Sequence, residues 1–123
     1  MNINIKATNT VLTPAIREYI EKKIGQVEEK LINPEDTSAH CDVEVGKISK
    51  HHNKGEDVFR AEFNLTVGGK FFRAESQQGN LYAAIDEAKN ELTRALRSSK
   101  KKKKDISRRG MLKIKNVIRG LKW

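Results

Sequence analysis

The chain has 123 residues, of which 37% are hydrophobic and 33% are charged. This length predicts one compact domain with a modest core, and it leaves no room for a second folded domain. The single cysteine, Cys41, excludes an internal disulfide, and no apolar run approaches the ~20 residues that span a bilayer. The polar, alternating start lacks the basic-then-apolar order of a secretion signal, so we expect a cytosolic protein.

The net charge of +9 is unevenly distributed along the chain. Residues 1–99 hold 14 Lys and Arg against 15 Asp and Glu, whereas residues 100–123 hold 11 basic residues and one acid, Asp105. A nearly neutral domain followed by so basic a segment predicts an arm for a polyanion, either nucleic acid or an anionic membrane.

The first elements along the chain are a strand and a helix. Ile3, Ile5 and Ala7 alternate with polar residues, which predicts a strand with one buried face. Thr13 and Pro14 form an N-cap followed by proline at the first helical position, so a helix is predicted to begin there. Its apolar stripe, with spacings of three and four, consists of Ile16, Tyr19, Ile20, Ile24, Val27 and Leu31.

Three further segments predict an antiparallel meander. Apolar and polar residues alternate over 39–45 and again over 59–67, and residues 70–75 form a return strand. Gly68 and Gly69 join the last two segments and supply the positive backbone angles of a tight hairpin turn.

A second helix is predicted from Asn80 over about five turns. The predicted fold is therefore α+β, in the order β-α-β-β-β-α, with two helices packed on one face of a four-stranded sheet. An exposed connection is predicted over 47–57. We divide the chain into a folded domain, 1–99, and a basic, partly flexible tail, 100–123, with a short amphipathic helix over 111–122.

Basic side chains cluster on the predicted helices. At about 100° per residue, one arc of the second helix holds Lys89, Arg94, Arg97, Lys100 and Lys101. Lys23 and Lys30 flank the Tyr19 edge of the first helix, so side-by-side packing of the two helices gathers these cations around one groove. Solvation of a helix surface is the alternative, but residues 93–104 hold seven basic residues and no acid, more than helix-dipole complementation needs. The tail adds Lys104, Arg108 and Arg109 to this predicted RNA-binding set.

Other chemistry has little support. His40, Cys41, His51 and His52 lack the paired spacing of a zinc site, and His40 and Cys41 point to opposite faces of a strand. We expect no metal, no cofactor and no catalytic residue, since no motif supplies a nucleophile with its base. The open sheet face carries no aromatic pair for stacked bases, so we expect recognition of RNA shape and backbone.

Two segments carry a resemblance to a known family: MNINIKATNTVLTPAIREYIEKKI at the start and GNLYAAIDEAKNELTRALR in the second helix. Over roughly residues 1–100, the chain resembles the ribosome hibernation promoting factor and ribosome-associated inhibitor A family. The resemblance implies the same β-α-β-β-β-α fold. It also implies a protein that sits in the decoding channel of the small ribosomal subunit and blocks mRNA and the A- and P-site tRNAs.

The resemblance further implies partners and residue roles. The expected partners are the 30S subunit, the 70S ribosome and 16S rRNA, with no small-molecule substrate. By position in the matching helices, the surface that meets 16S rRNA contains Lys23, Lys30, Lys89, Arg94 and Arg97. Tyr82 matches a recurrent aromatic of the family, although a packing role is equally open. The 24 tail residues are too few for the domain with which long members pair ribosomes, so self-dimerisation is not expected; whether the chain promotes or prevents ribosome dimers stays open.

Two other functions stay open. An αβββα order is also typical of double-stranded-RNA-binding modules, which read RNA by shape. Alternatively the tail forms a membrane-surface helix, given Leu121 and Trp123 at its apolar end.

Overall fold

A computed structural model describes the backbone of residues 1–48 and 57–120 and the side chains of residues 1–48 and 57–103. Its elements are β1 (Asn2–Thr8), α1 (Pro14–Leu31), β2 (His40–Ile48), β3 (Val58–Val67), β4 (Lys70–Gln78) and α2 (Leu81–Gly120). The predicted α+β order β-α-β-β-β-α is confirmed. Strand β2 runs to Ile48, so it includes the start of the predicted connection, most of which lies outside the described residues.

The four strands form one sheet in the order β1-β2-β3-β4. As predicted, β2, β3 and β4 are antiparallel neighbours, whereas β1 lies parallel to β2 and is joined to it through α1. Val43 on β2 stands between Ile5 and Phe63, and this register points the apolar residues of the three strands to the same side. Gly68 and Gly69 have φ of 55° and 74°, the positive angles of a tight hairpin turn.

Helix α1 begins as the sequence predicts. The Thr13 hydroxyl accepts a hydrogen bond from the Ile16 backbone N–H at 3.2 Å, which satisfies one of the donors left open at a helix start. The apolar stripe then buries Ile20, Ile24 and Val27 against the sheet side of the molecule.

The core lies between the apolar sheet face and the two helices. Helix α2 crosses β3 and β4 and packs beside α1. Phe63 and Leu65 from β3 and Ile85 and Leu92 from α2 are fully buried in this layer. Each such side chain contributes about 1.5–3 kcal/mol of burial free energy. This packing fixes α1 and α2 side by side, as the groove hypothesis requires.

The predicted end of the second helix is wrong. We expected about five turns, but α2 is one helix of 40 residues, Leu81–Gly120, and it continues into the region 111–122 for which a short amphipathic helix was predicted. Ser98 and Ser99 are weak helix formers that do not break a helix, and the run of lysines that follows has high helix propensity. The apolar face predicted for 111–122 lies outside the described side chains, and residues 121–123 lie outside the described backbone.

Candidate nucleic-acid interface

The contact between α1 and α2 contains two tyrosines, a lysine and an aspartate. The Tyr19 and Tyr82 rings meet edge to face, with centroids 4.8 Å apart and planes at 89°. The Tyr19 hydroxyl donates a hydrogen bond to Asp86 Oδ1 at 2.5 Å. Lys23 Nζ lies 3.3 Å from the same oxygen and 5.2 Å from the centroid of the Tyr19 ring. We call these four residues the seam cluster.

The seam cluster changes the electrostatics of two of its members. The hydrogen bond to Asp86, followed by burial, raises the pKa of Tyr19 above its usual value. Burial lowers the pKa of Lys23, but the hydrogen bond and charge of Asp86 outweigh it, so the net shift is upward. Lys23 therefore stays charged, yet Asp86 neutralises much of its field. The sequence predicted Lys23 as an RNA contact and did not reveal this pairing, because the two residues are far apart in the chain.

The predicted basic arc of α2 is present, with differences between its members. Lys89 is half-buried and lies one turn beyond Asp86. Arg94 is exposed, but its guanidinium Nη2 lies 3.0 Å from Glu87 Oε1. Arg97 is exposed, and so are Lys100 and Lys101.

The other members of the predicted RNA-binding set lie on α1 and in the second half of α2. Lys30 is exposed in the last turn of α1. Lys104, Arg108 and Arg109 belong to α2, but their side chains lie outside the described residues. The fold therefore places Lys23 in the contact between α1 and α2, and the exposed cations Arg97, Lys100 and Lys101 lie further along α2.

The sheet face that points away from the helices has a different character. Arg60 bridges Glu62 and Glu75, with its Nε 2.8 Å from Glu75 Oε1. Arg73 Nη2 lies 3.2 Å from Glu62 Oε2, and the Asn64 amide donates to Glu62 at 2.8 Å. The hydrogen bond from Arg60 lowers the pKa of Glu75. Burial raises the pKa of Glu62, but Asn64 and the two arginines bring it below its usual value. Both arginines are thus paired with carboxylates. Because these pairs offset the positive charge, the described part of this face is not a continuous cationic surface.

Cys41 and His40 lie on opposite sides of β2. Cys41 is fully buried in the core, and burial raises the pKa of its thiol to about 12, whereas His40 is exposed. Within residues 1–48 and 57–103, no group of three or more His, Cys, Asp or Glu side chains is arranged to hold a metal ion. His51 and His52 lie outside the described residues.

Among the side chains that the structure describes, Tyr82 is one of three large apolar ones that stay exposed, at 40% of its surface. Its ring meets the Tyr19 ring edge to face, and Lys23 lies over the Tyr19 ring. The sequence left a packing role for Tyr82 open, and the structure shows that its ring packs against Tyr19 across the contact between α1 and α2. None of the described helices is both long enough and apolar enough to cross a membrane.

Comparison with known proteins gives consistent matches over most of the chain. Residues 3–104 match the family described as Sigma 54 modulation protein / S30EA ribosomal protein. The "Ribosome hibernation promotion factor" of Bacillus subtilis (strain 168) is 34% identical over 102 residues, which is 83% of this chain and 50% of that protein. The protein of the same name from Staphylococcus aureus (strain COL) is 31% identical over 100 residues, or 81% and 48%. The chain thus spans about half the length of these relatives.

Solved structures agree on the fold. The Thermus thermophilus Protein Y N-terminal domain superposes with a TM-score of 0.64 at 29% identity, over 78% of this chain and 96% of that one. A ribosomal subunit interface protein from Coxiella burnetii superposes with a TM-score of 0.63 at 21% identity, over 81% and 98%. At that lower identity the second match speaks for the shared fold alone.

Proposed function

The chain belongs to the Sigma 54 modulation protein / S30EA ribosomal protein family, and we propose that it inhibits translation by binding 16S rRNA in the decoding channel of the small ribosomal subunit. In this proposal the protein blocks mRNA and the A- and P-site tRNAs by occupying their place, and it performs no chemistry. Its partners are the 30S subunit and the 70S ribosome. The relatives named as ribosome hibernation promotion factors support this role.

The observation that carries the proposal is the exposed cationic side of α2. Arg97, Lys100 and Lys101 are exposed on one continuous helix, and the sequence contains no acid between Glu91 and Asp105. Such a helix holds several cations at fixed spacing, which favours contact with a folded polyanion. Contacts to phosphates fix the position and register of a bound protein on its nucleic acid. A protein that inhibits by occupying the decoding channel does not need to read the base sequence as well.

The test is binding of the full chain to purified 30S subunits and 70S ribosomes by co-sedimentation, together with translation in vitro. We expect sedimentation with both particles, loss of translation and competition with initiator tRNA. If about eight phosphates are neutralised, log affinity against log salt has a slope of roughly −7, taking the coefficient of duplex DNA. Binding to the 50S subunit alone would contradict the proposal.

A matched pair of variants locates the surface. Arg94→Glu with Arg97→Glu reverses two charges on the exposed side of α2 and is expected to weaken 30S binding without unfolding the domain. Lys6→Glu with Arg17→Glu changes the net charge equally at two other exposed positions, on β1 and on α1, and is expected to bind nearly as the unchanged chain does. Equal losses for the two pairs would refute the assignment to α2.

A double-stranded-RNA module remains the second candidate, because α1, the β2-β3-β4 meander and α2 follow the αβββα order of such modules. A mobility shift on a bare RNA duplex separates the two functions. Tight duplex binding without preference for 30S subunits favours the module, and a strong preference for 30S subunits favours the occupying inhibitor.

A further inference from the structure

A cleft opens where the β3–β4 hairpin approaches α2. Its volume is about 240 Å³, and Val67, Phe72 and Leu96 contribute an apolar floor. The rim carries three lysines from two separate parts of the chain: Lys70, Lys100 and Lys103. All three are exposed. The sequence prediction included Lys100 but not Lys70 or Lys103, because nothing in a strand pattern shows that the hairpin reaches this part of α2.

One carboxylate lines the cleft, and it already accepts three hydrogen bonds. Asp36 accepts the Gly68 backbone N–H at 2.7 Å, the Ser38 backbone N–H at 3.1 Å and the Ser38 hydroxyl at 2.6 Å. The hydrogen bonds from Ser38 and Gly68 lower its pKa, so it is ionised at neutral pH. Asp36 therefore links the β3–β4 turn at Gly68 to the loop that contains Ser38. Three lysines against one carboxylate leave the rim with an excess of positive charge.

Lys70 is only weakly held. Its ammonium Nζ lies 3.4 Å from the Ser99 hydroxyl, a long contact to a neutral group, and an ammonium has three donors to offer. Lys100 and Lys103 are one turn apart on α2 and share a side of the helix. A phosphate bound above the cleft accepts charge-assisted hydrogen bonds from these lysines, and the contact it replaces, Lys70 with the Ser99 hydroxyl, is weak.

We propose that this cleft is a further phosphate-binding site, and that it takes the sugar–phosphate backbone of RNA through Lys70, Lys100 and Lys103. The inference rests on the proposed function and extends it, since the RNA is taken to be the same 16S rRNA. Lys100 belongs both to the cleft and to the exposed arc of α2, so one RNA strand that follows the helix reaches both. The apolar floor suits the ribose and base edges that flank a phosphate.

The experiment measures affinity of the full chain for purified 30S subunits at several KCl concentrations. Lys70→Glu is compared with Lys6→Glu, which makes the same charge change on the exposed side of β1. Hydrogen bonds to charged groups are among the stronger ones, so Lys70→Glu is expected to weaken binding at least about tenfold and to flatten the salt slope by about 1. Lys70→Gln is expected to lose less, and Lys6→Glu to stay within about twofold of the unchanged chain.

The outcomes separate the two proposals. Selective loss for Lys70→Glu, with an unchanged thermal unfolding midpoint, supports the cleft. Equal loss for Lys70→Glu and Lys6→Glu overturns it, because net charge then explains the effect. Unchanged binding of Lys70→Glu also overturns it and leaves the cleft for another anion, such as an acidic peptide. Failure of the unchanged chain to bind 30S subunits overturns the proposed function itself, and this inference with it.

Discussion

Asp86 offers a test in which stability and RNA binding change in opposite directions. Asp86→Asn keeps the side-chain shape but removes the charge that accepts the Tyr19 hydroxyl at 2.5 Å and pairs with Lys23 at 3.3 Å. A hydrogen bond to a charged acceptor contributes about 1.5–3 kcal/mol, and asparagine retains part of it. The ion pair adds little, since 23% of the Lys23 side chain and 43% of that of Asp86 are exposed to water. We expect the free energy of unfolding to fall by about 1–2 kcal/mol.

The two assays are urea unfolding and 30S binding, each with Glu91→Gln as the control. Glu91 lies exposed on the same helix, so the control removes one negative charge without touching the seam cluster. Asp86→Asn is expected to be less stable than the control yet to bind 30S subunits more tightly, since Lys23 is no longer neutralised. Equal stability of the two variants would refute the role given to the seam cluster.

The pH dependence provides an independent check on the same cluster. The pKa values of Tyr19 and Lys23 are both raised from their usual 10.0 and 10.5. A raised pKa means that the folded state holds its proton more tightly, so this contribution to stability is complete at neutral pH and is lost as the pH rises above about 10. The stability difference between the unchanged chain and Asp86→Asn should therefore shrink there.

Three further predictions concern the fold. Phe63→Ala removes a fully buried ring and should cost about 3–5 kcal/mol in urea unfolding, whereas a cost below about 1 kcal/mol would contradict the assigned core. Gly46→Ala would place a Cβ 2.7 Å from the Thr8 carbonyl oxygen, so β1 must shift, and a loss of about 1–3 kcal/mol is expected by the same measurement. The lowered pKa values of Glu62 and Glu75 contribute stability that is present above their usual 4.5 and is lost as the pH falls below it. The double variant Glu62→Gln with Glu75→Gln should lack this acid-dependent loss, and the same fall in both proteins would argue against the pairing with the arginines.

The sequence predicted the elements well because their signals are local. Thr13 before Pro14 marks a helix start, and alternation around Phe63 marks a buried strand, whatever the rest of the chain does. The pairing of Lys23 with Asp86 was not predictable, because it depends on how α1 and α2 meet. The end of α2 was misplaced because the basic segment after Ser99 predicted a partly flexible tail, although each lysine in that segment is a good helix former.

The candidate site was predicted in part for the same reason. Helical period puts Arg97 and Lys100 on one arc without any knowledge of the partner elements. Lys70 enters the candidate surface only because the β3–β4 hairpin reaches α2, where its Nζ approaches Ser99. Contacts across long sequence separations decide which charges are neutralised and which are added, and a periodicity argument contains no information about them.

Acidic and basic residues are separated along α2, and this separation affects how the protein approaches RNA. The first turns of the helix contain Asp86, Glu87 and Glu91, and the first two of these hold Lys23 and Arg94. From Leu92 to Lys104 the sequence has only basic charges. Apart from Asp105, the negative charges of α2 therefore lie near its start, and the basic stretch begins where Leu92 and Leu96 still pack on the core and continues past them. Long-range attraction should orient that stretch toward the RNA first, so salt is expected to slow association more than it speeds dissociation.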